Sequence, residues 1–109
     1  KSVGIDIQAL SPKINRLAER FMNTEELKSV DLENNLEKIH VYWGAKESLY
    51  KLYGKGKLDF RSDLIVHDFN YEEKGKFHGR IINSDYTIEC NLQYEKINDY
   101  MLVWACAPF

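Results

Sequence analysis

The sequence lacks the marks of a membrane-spanning, disulfide-built or nucleic-acid-binding chain. No stretch approaches the roughly 18 consecutive apolar residues that a helical membrane span needs. Basic residues show no surplus: 15 Lys and Arg stand against 17 Asp and Glu, a formal net charge of −2. Nucleic-acid binding normally shows the opposite balance. Two cysteines among 109 residues make no disulfide framework. Cys90 and Cys106 each sit inside an apolar strand pattern, so two buried free thiols in a reducing cytoplasm are expected. His40, His67 and His78 share no ligand spacing, which sets zinc aside. No Ser-His-Asp or Cys-His arrangement can be argued, and no repeat, linker or low-complexity tract appears. The opening Lys1-Ser2-Val3-Gly4-Ile5-Asp6 carries no signal-peptide pattern and runs directly into a strand-like segment. It also lacks an initiator Met, so the chain is expected to be processed or cut from something longer.

What is present suits one small domain, residues 1–109, with a single core: 44% apolar and 29% charged residues. Val3 to Gln8 reads as a short buried strand, with Val3, Ile5 and Ile7 on one face and Gly4, Asp6 and Gln8 on the other. Ser11-Pro12 reads as a helix start, and Ile14, Leu17, Ala18 and Phe21 follow one buried helical face. Asn23 and Glu26 have the spacing of a capping box for a short helix reaching about Val30. The longest helix starts at Asp31 or Asn34 and ends at Tyr53 before Gly54, with Leu36, Ile39, Trp43 and Tyr50 as its apolar stripe. After the Gly54–Lys57 turn the period becomes that of strands: Leu64 to Phe69, Lys76 to Ile82, Tyr86 to Tyr94, and Tyr100 to Ala107. The last is apolar on both faces and reads as an interior strand. One strand, two to three helices and then an antiparallel sheet is an α+β layout. The tyrosines and Trp104 read as core and rim.

Two placements of charge conflict with simple packing. In Trp43-Gly44-Ala45-Lys46-Glu47-Ser48-Leu49-Tyr50-Lys51, Glu47 falls on or beside the apolar stripe and is flanked by two lysines. A Glu–Lys pair four residues apart is commonly only a surface pair worth about 0.2–0.5 kcal/mol. An unpaired charge on an apolar face, however, costs several kcal/mol. Asp6 sits inside a strand, where Asp is disfavoured; it either caps a turn at a sheet edge or binds a cation. Magnesium takes one or two protein carboxylates plus waters and phosphates, which Asp6 and Glu47 can supply, with Gln8 adding an amide oxygen. The Gly54-Lys55-Gly56-Lys57 turn follows a helix and lacks Walker spacing, so it reads as a helix terminator.

The combination of Gly4-Ile5-Asp6-Ile7, Arg20-Phe21, Trp43-x-x-Lys46-Glu47-Ser48-x-x-Lys51 and Gly54-x-Gly56 resembles the 4'-phosphopantetheinyl transferases. The Trp before the Lys-Glu pair, and the closing Met101–Ala107, resemble the surfactin-synthetase-activating type. The resemblance implies transfer of the phosphopantetheine arm of coenzyme A to a serine of an acyl or peptidyl carrier protein, as in holo-acyl-carrier-protein synthases. It implies Asp6 and Glu47 as Mg²⁺ ligands with Gln8 as a weaker third, since many members carry Glu there. It implies Glu47 and Lys51 as catalytic groups, and Lys46 and Lys51 as binders of the coenzyme A phosphates. Arg16, Arg20 and Phe21 become candidates for meeting the carrier protein. Enzymes of this type join two similar halves in one chain, and this sequence corresponds to the second. A homo-dimer or homo-trimer is therefore expected, with neither nucleic acid nor membrane as partner. The alternative is a non-catalytic half-domain that self-associates around an incomplete coenzyme A site.

Overall fold

The computed structural model describes residues 2–108. In chain order the elements are β1 (Ser2–Ala9), α1 (Ile14–Phe21), α2 (Thr24–Lys28), α3 (Leu36–Tyr53), β2 (Leu64–Val66), β3 (Lys74–Ile82), β4 (Thr87–Ile97) and β5 (Tyr100–Ala107). The strands form one antiparallel sheet in the order β1-β5-β4-β3-β2. The helices lie on one face, with α3 packed chiefly against β1 and β5. This is the expected α+β architecture, and β5 is an interior strand between β1 and β4.

Local chemistry sets the boundaries. The capping box forms: Glu26 N–H donates to Asn23 Oδ1 (2.9 Å) and Asn23 N–H to Glu26 Oε1 (2.8 Å). The third helix begins later than its sequence suggests. Asp31 closes a turn of its own, accepting from Glu33 N–H and the Asn34 amide, while Asn35 Oδ1 accepts from Asp31 N–H. Side chains that bond the local backbone this way compete with helix formation. The far end is as expected, with Gly54 at φ +70°. Strand β2 ends at Val66, not Phe69. Beyond it Lys38 holds Asp68 at 2.8 Å, and Phe69 leaves the sheet edge to join Tyr42, Phe77 and Tyr94. A two-residue turn, Asn98-Asp99, joins β4 to β5, with Asn98 at φ +54°.

The largest departure concerns β1. Its apolar letters face outward: Val3, Ile5 and Ile7 are 52%, 56% and 57% exposed. Gly4 and Asp6 are buried, because the opposite face of the strand lies against α3. A Cβ on Gly4 would stand 1.9 Å from the Ser48 carbonyl oxygen, and one on Gly44 would stand 2.5 Å from Val103 Cγ2. The helix thus lies on the sheet at a distance that only glycine permits at these two points. Ser48 Oγ reinforces the approach by donating to the Val103 carbonyl at 3.0 Å. The helix is also buried over more than one stripe. Ile39, Val41, Tyr42, Ala45, Leu49 and Leu52 enter the core, while Trp43 and Tyr50 are only partly covered. Of the two thiols, both free, Cys90 is buried as expected and Cys106 only partly so.

Replacing Gly4 by Ala forces the helix off the strand. Urea denaturation of Gly4→Ala is expected to show a loss of about 3 kcal/mol, at the upper end for an overpacked site; an unchanged midpoint would refute the close contact.

Candidate functional site

The site is built where β1 passes beneath α3. Strand alternation turns Asp6 toward the helix, where it is 4% exposed. Lys51, in the last turn of α3, reaches down to it: Lys51 Nζ lies 3.1 Å from Asp6 Oδ1 and 3.1 Å from the Ile5 carbonyl oxygen. The Gln8 amide, two residues along the same face, donates to Asp6 Oδ1 at 3.3 Å. The second carboxylate oxygen, Asp6 Oδ2, is buried with no hydrogen-bond partner. A buried acceptor without a partner costs about 1–3 kcal/mol, so it marks a place shaped for a donor or a cation. Glu47 stands one turn before Lys51. Its carboxyl is raised above the usual range, first by burial and then by the negative charge of Asp6, against an opposing effect of Lys51. Asp6, Glu47, Lys51 and Gln8 therefore gather at one spot.

Lys46 goes elsewhere. It is 0% exposed, and its ammonium donates to the carbonyls of Phe60 (2.7 Å) and Leu64 while paired with Glu26 at 2.8 Å. Its three N–H groups thus have three acceptors, and its pKa is lowered by burial against the opposing pull of Glu26. The expected contact of Lys46 with coenzyme A phosphates is corrected by this geometry. Lys46 ties α3 to the start of β2 and to α2, while Glu26 Oε2 also accepts Val66 N–H at 2.9 Å. Adjacent residues on a helix point about 100° apart, which explains how the Lys46-Glu47 pair is divided between the core and the site. Sequence reasoning missed Glu26 as the partner. The available signal was that a lysine amid buried positions requires an anion, and Glu26 was assigned only its capping role.

A groove of about 600 Å³ is lined by Gln8, Ser11, Leu17, His40, Trp43 and Phe60, among others. Trp43 packs on Phe21 (ring centroids 4.9 Å) and Phe60 (5.7 Å). Phe21 is buried and so is not a surface residue for a partner, contrary to expectation. Arg16 and Arg20 are exposed as expected, with the half-exposed Leu17 between them.

The family model of the 4'-phosphopantetheinyl transferase superfamily matches residues 2–105. The chain belongs to this superfamily. No curated protein matches it. The match takes in β1 and all of α3, and hence every residue gathered at the site. A transferase of the phosphopantetheinyl arm uses coenzyme A, whose phosphates call for cations, and Lys51 presents one at the surface. Among the described residues no cluster of three or more His, Cys, Asp or Glu is placed for a metal. Two carboxylates, one with an oxygen lacking a partner, nevertheless fit a hard cation such as magnesium.

Two outcomes test these assignments. Glu26→Gln leaves a buried ammonium without its anion and is expected to cost about 3–5 kcal/mol in chemical denaturation. Glu47→Gln should do the reverse. An acid whose folded pKa is raised penalises the native state when ionised, so the variant is more stable at neutral pH. That gain vanishes as pH falls below the unfolded carboxyl pKa of about 4.3, where both states are protonated. Melting curves at pH 7 and pH 3.5 read the difference.

Proposed function

We propose that this domain transfers the 4'-phosphopantetheine group of coenzyme A to a serine of an acyl or peptidyl carrier protein in the cytoplasm. The observation that carries the reading is the buried Asp6, ion-paired to Lys51 through one oxygen and unpaired at the other, beside a proton-avid Glu47. Glu47 takes the proton of the incoming serine hydroxyl; its raised pKa makes it a better base than an ordinary carboxylate. The serine oxygen then bonds to the phosphorus that carries the pantetheine arm. The bond from that phosphorus to the bridging oxygen breaks, and 3',5'-adenosine bisphosphate leaves with the electron pair. Lys51 neutralises the charge that gathers on the pyrophosphate oxygens. Asp6 and Glu47, with Gln8 as a weaker third, would hold Mg²⁺. When bound, Mg²⁺ supplies further charge neutralisation on the phosphates and lowers the cost of ionising the serine.

In this reading the chain corresponds to the second half of a surfactin-synthetase-activating-type enzyme. The outward face of β1 and β5 supports that placement. Opposed pairs Val3–Cys106, Ile5–Trp104 and Ile7–Leu102 form a continuous, partly exposed apolar ladder, of a kind that marks association surfaces. The domain on its own therefore forms a homo-dimer or homo-trimer across this ladder. Arg16 and Arg20 meet the acidic face of the carrier, Leu17 taking the apolar role first assigned to Phe21. The same ladder also favours the second reading, a half-domain that only associates.

Mass spectrometry of an apo carrier protein incubated with coenzyme A and Mg²⁺ separates the two. Transfer of one phosphopantetheine, lowered about 10²–10⁴-fold in Glu47→Ala, supports the enzyme. If there is no transfer, and calorimetry with coenzyme A and Mg²⁺ shows no Glu47-dependent heat, the associating half-domain stands. Light scattering after size exclusion is expected to give twice or three times the chain mass, and a clean monomer would overturn the assembly.

A further inference from the structure

His40 is used by none of the chemistry above, yet it is 2% exposed and both of its ring nitrogens are engaged. Ser11 N–H donates to Nε2 at 3.2 Å, and Nδ1 lies 2.9 Å from the Leu36 carbonyl oxygen. A nitrogen that accepts an amide proton cannot carry one itself. Nε2 is therefore bare, and Nδ1 holds the proton and donates it to Leu36. Burial keeps the ring in this neutral form, lowering its pKa despite opposing contributions from the Leu36 hydrogen bond and Glu37.

The bond ties the segment between β1 and α1 directly to α3. The segment between β1 and α1 has one other long-range backbone tie, Leu10 N–H to the Asp99 carbonyl at 2.8 Å. Within the turn, Ile14 N–H donates to the Ser11 carbonyl at 3.2 Å and Asn15 N–H to the Pro12 carbonyl at 3.3 Å. Lys13 gives α1 no side-chain cap, and α1 packs mainly on α3. Ser11, Ile14 and His40 line the same groove as Leu17 and Arg20, the residues assigned above to the carrier.

We propose that His40 is a positioning residue for the protein acceptor: its imidazole pins the Ser11 turn to α3 and so fixes the wall of the groove in which the acceptor docks. What the groove receives rests on the transferase reading; the pin itself rests on geometry.

Three variants and four kinds of measurement test this. Ring ¹⁵N shifts of His40 in the intact protein are expected to show protonation at Nδ1 and a bare Nε2 at neutral pH. A proton on Nε2 overturns the pin. His40→Gln places a carbonyl oxygen at about the reach of Nε2, whereas His40→Leu does not. The Leu variant is expected to raise KM for an apo carrier protein about tenfold, with kcat and KM for coenzyme A unchanged. That is the effect of about one lost hydrogen bond on binding alone. The Gln variant should restore most of the loss. A fall in kcat with carrier KM unchanged, or no rescue by Gln, shows a merely structural histidine and overturns the proposal. If the wild type transfers nothing and coenzyme A binding is indifferent to Glu47→Ala, the transferase reading falls and takes the docking role with it. The ring tautomer and the exchange protection of the Ser11 amide then report on the pin alone, with protection in wild type and His40→Gln but not in His40→Leu.

Discussion

The structure depends on the close seating of one helix on an edge strand. Where Gly4 meets the Ser48 carbonyl and Gly44 meets Val103, no Cβ fits between α3 and the sheet. That contact carries Asp6 beneath the last turns of the helix, within reach of Lys51 and within the field of Glu47. Packing and chemistry are therefore a single constraint. A carboxylate buried to 4% exposure is tolerated because a cation from the facing element meets it, and burial in turn raises the proton affinity of its neighbour. A wider separation would hydrate Asp6, release Lys51 and return Glu47 toward an ordinary surface acid.

Much of this was legible in the letters, and the illegible remainder has identifiable causes. Helix periodicity, the capping box at Asn23 and the glycine at position 54 are local signals, and they placed the helices to within a few residues. Strand alternation put Asp6 and Gln8 on one face. It could not say which face met the core, since Val3, Ile5 and Ile7 look like core residues whether a helix or a second protein covers them. The end of β2 was misread because Phe69 is captured by aromatic rings from α3, β3 and β4, a contact between residues distant in sequence. The start of α3 was misread because Asp31 can bond its own turn as well as cap a helix.

The motif around Glu47 also divides more finely than its spacing suggests. Four charged or polar residues in six positions have separate tasks. Lys46 is an internal tie across three elements, Ser48 a bolt to Val103, and Glu47 and Lys51 both act on Asp6. A helix rotating about 100° per residue sorts them without further instruction. Lys46 and Lys51 look interchangeable in sequence, but the first has no exposed surface while the second keeps about half of its side chain in solvent.

The bond from Lys51 to the Ile5 carbonyl has a bearing on assembly that is separate from its bond to Asp6. Strand β1 is the rim of the sheet, where bare backbone groups ordinarily invite another strand to extend it. Here an ammonium group occupies the middle of that rim. A foreign strand zipping onto it would have to evict a cation that also answers a buried acid. Pairing of a further strand onto β1 is thereby disfavoured. One lysine thus covers a carbonyl on the bare edge of the sheet while answering a buried acid.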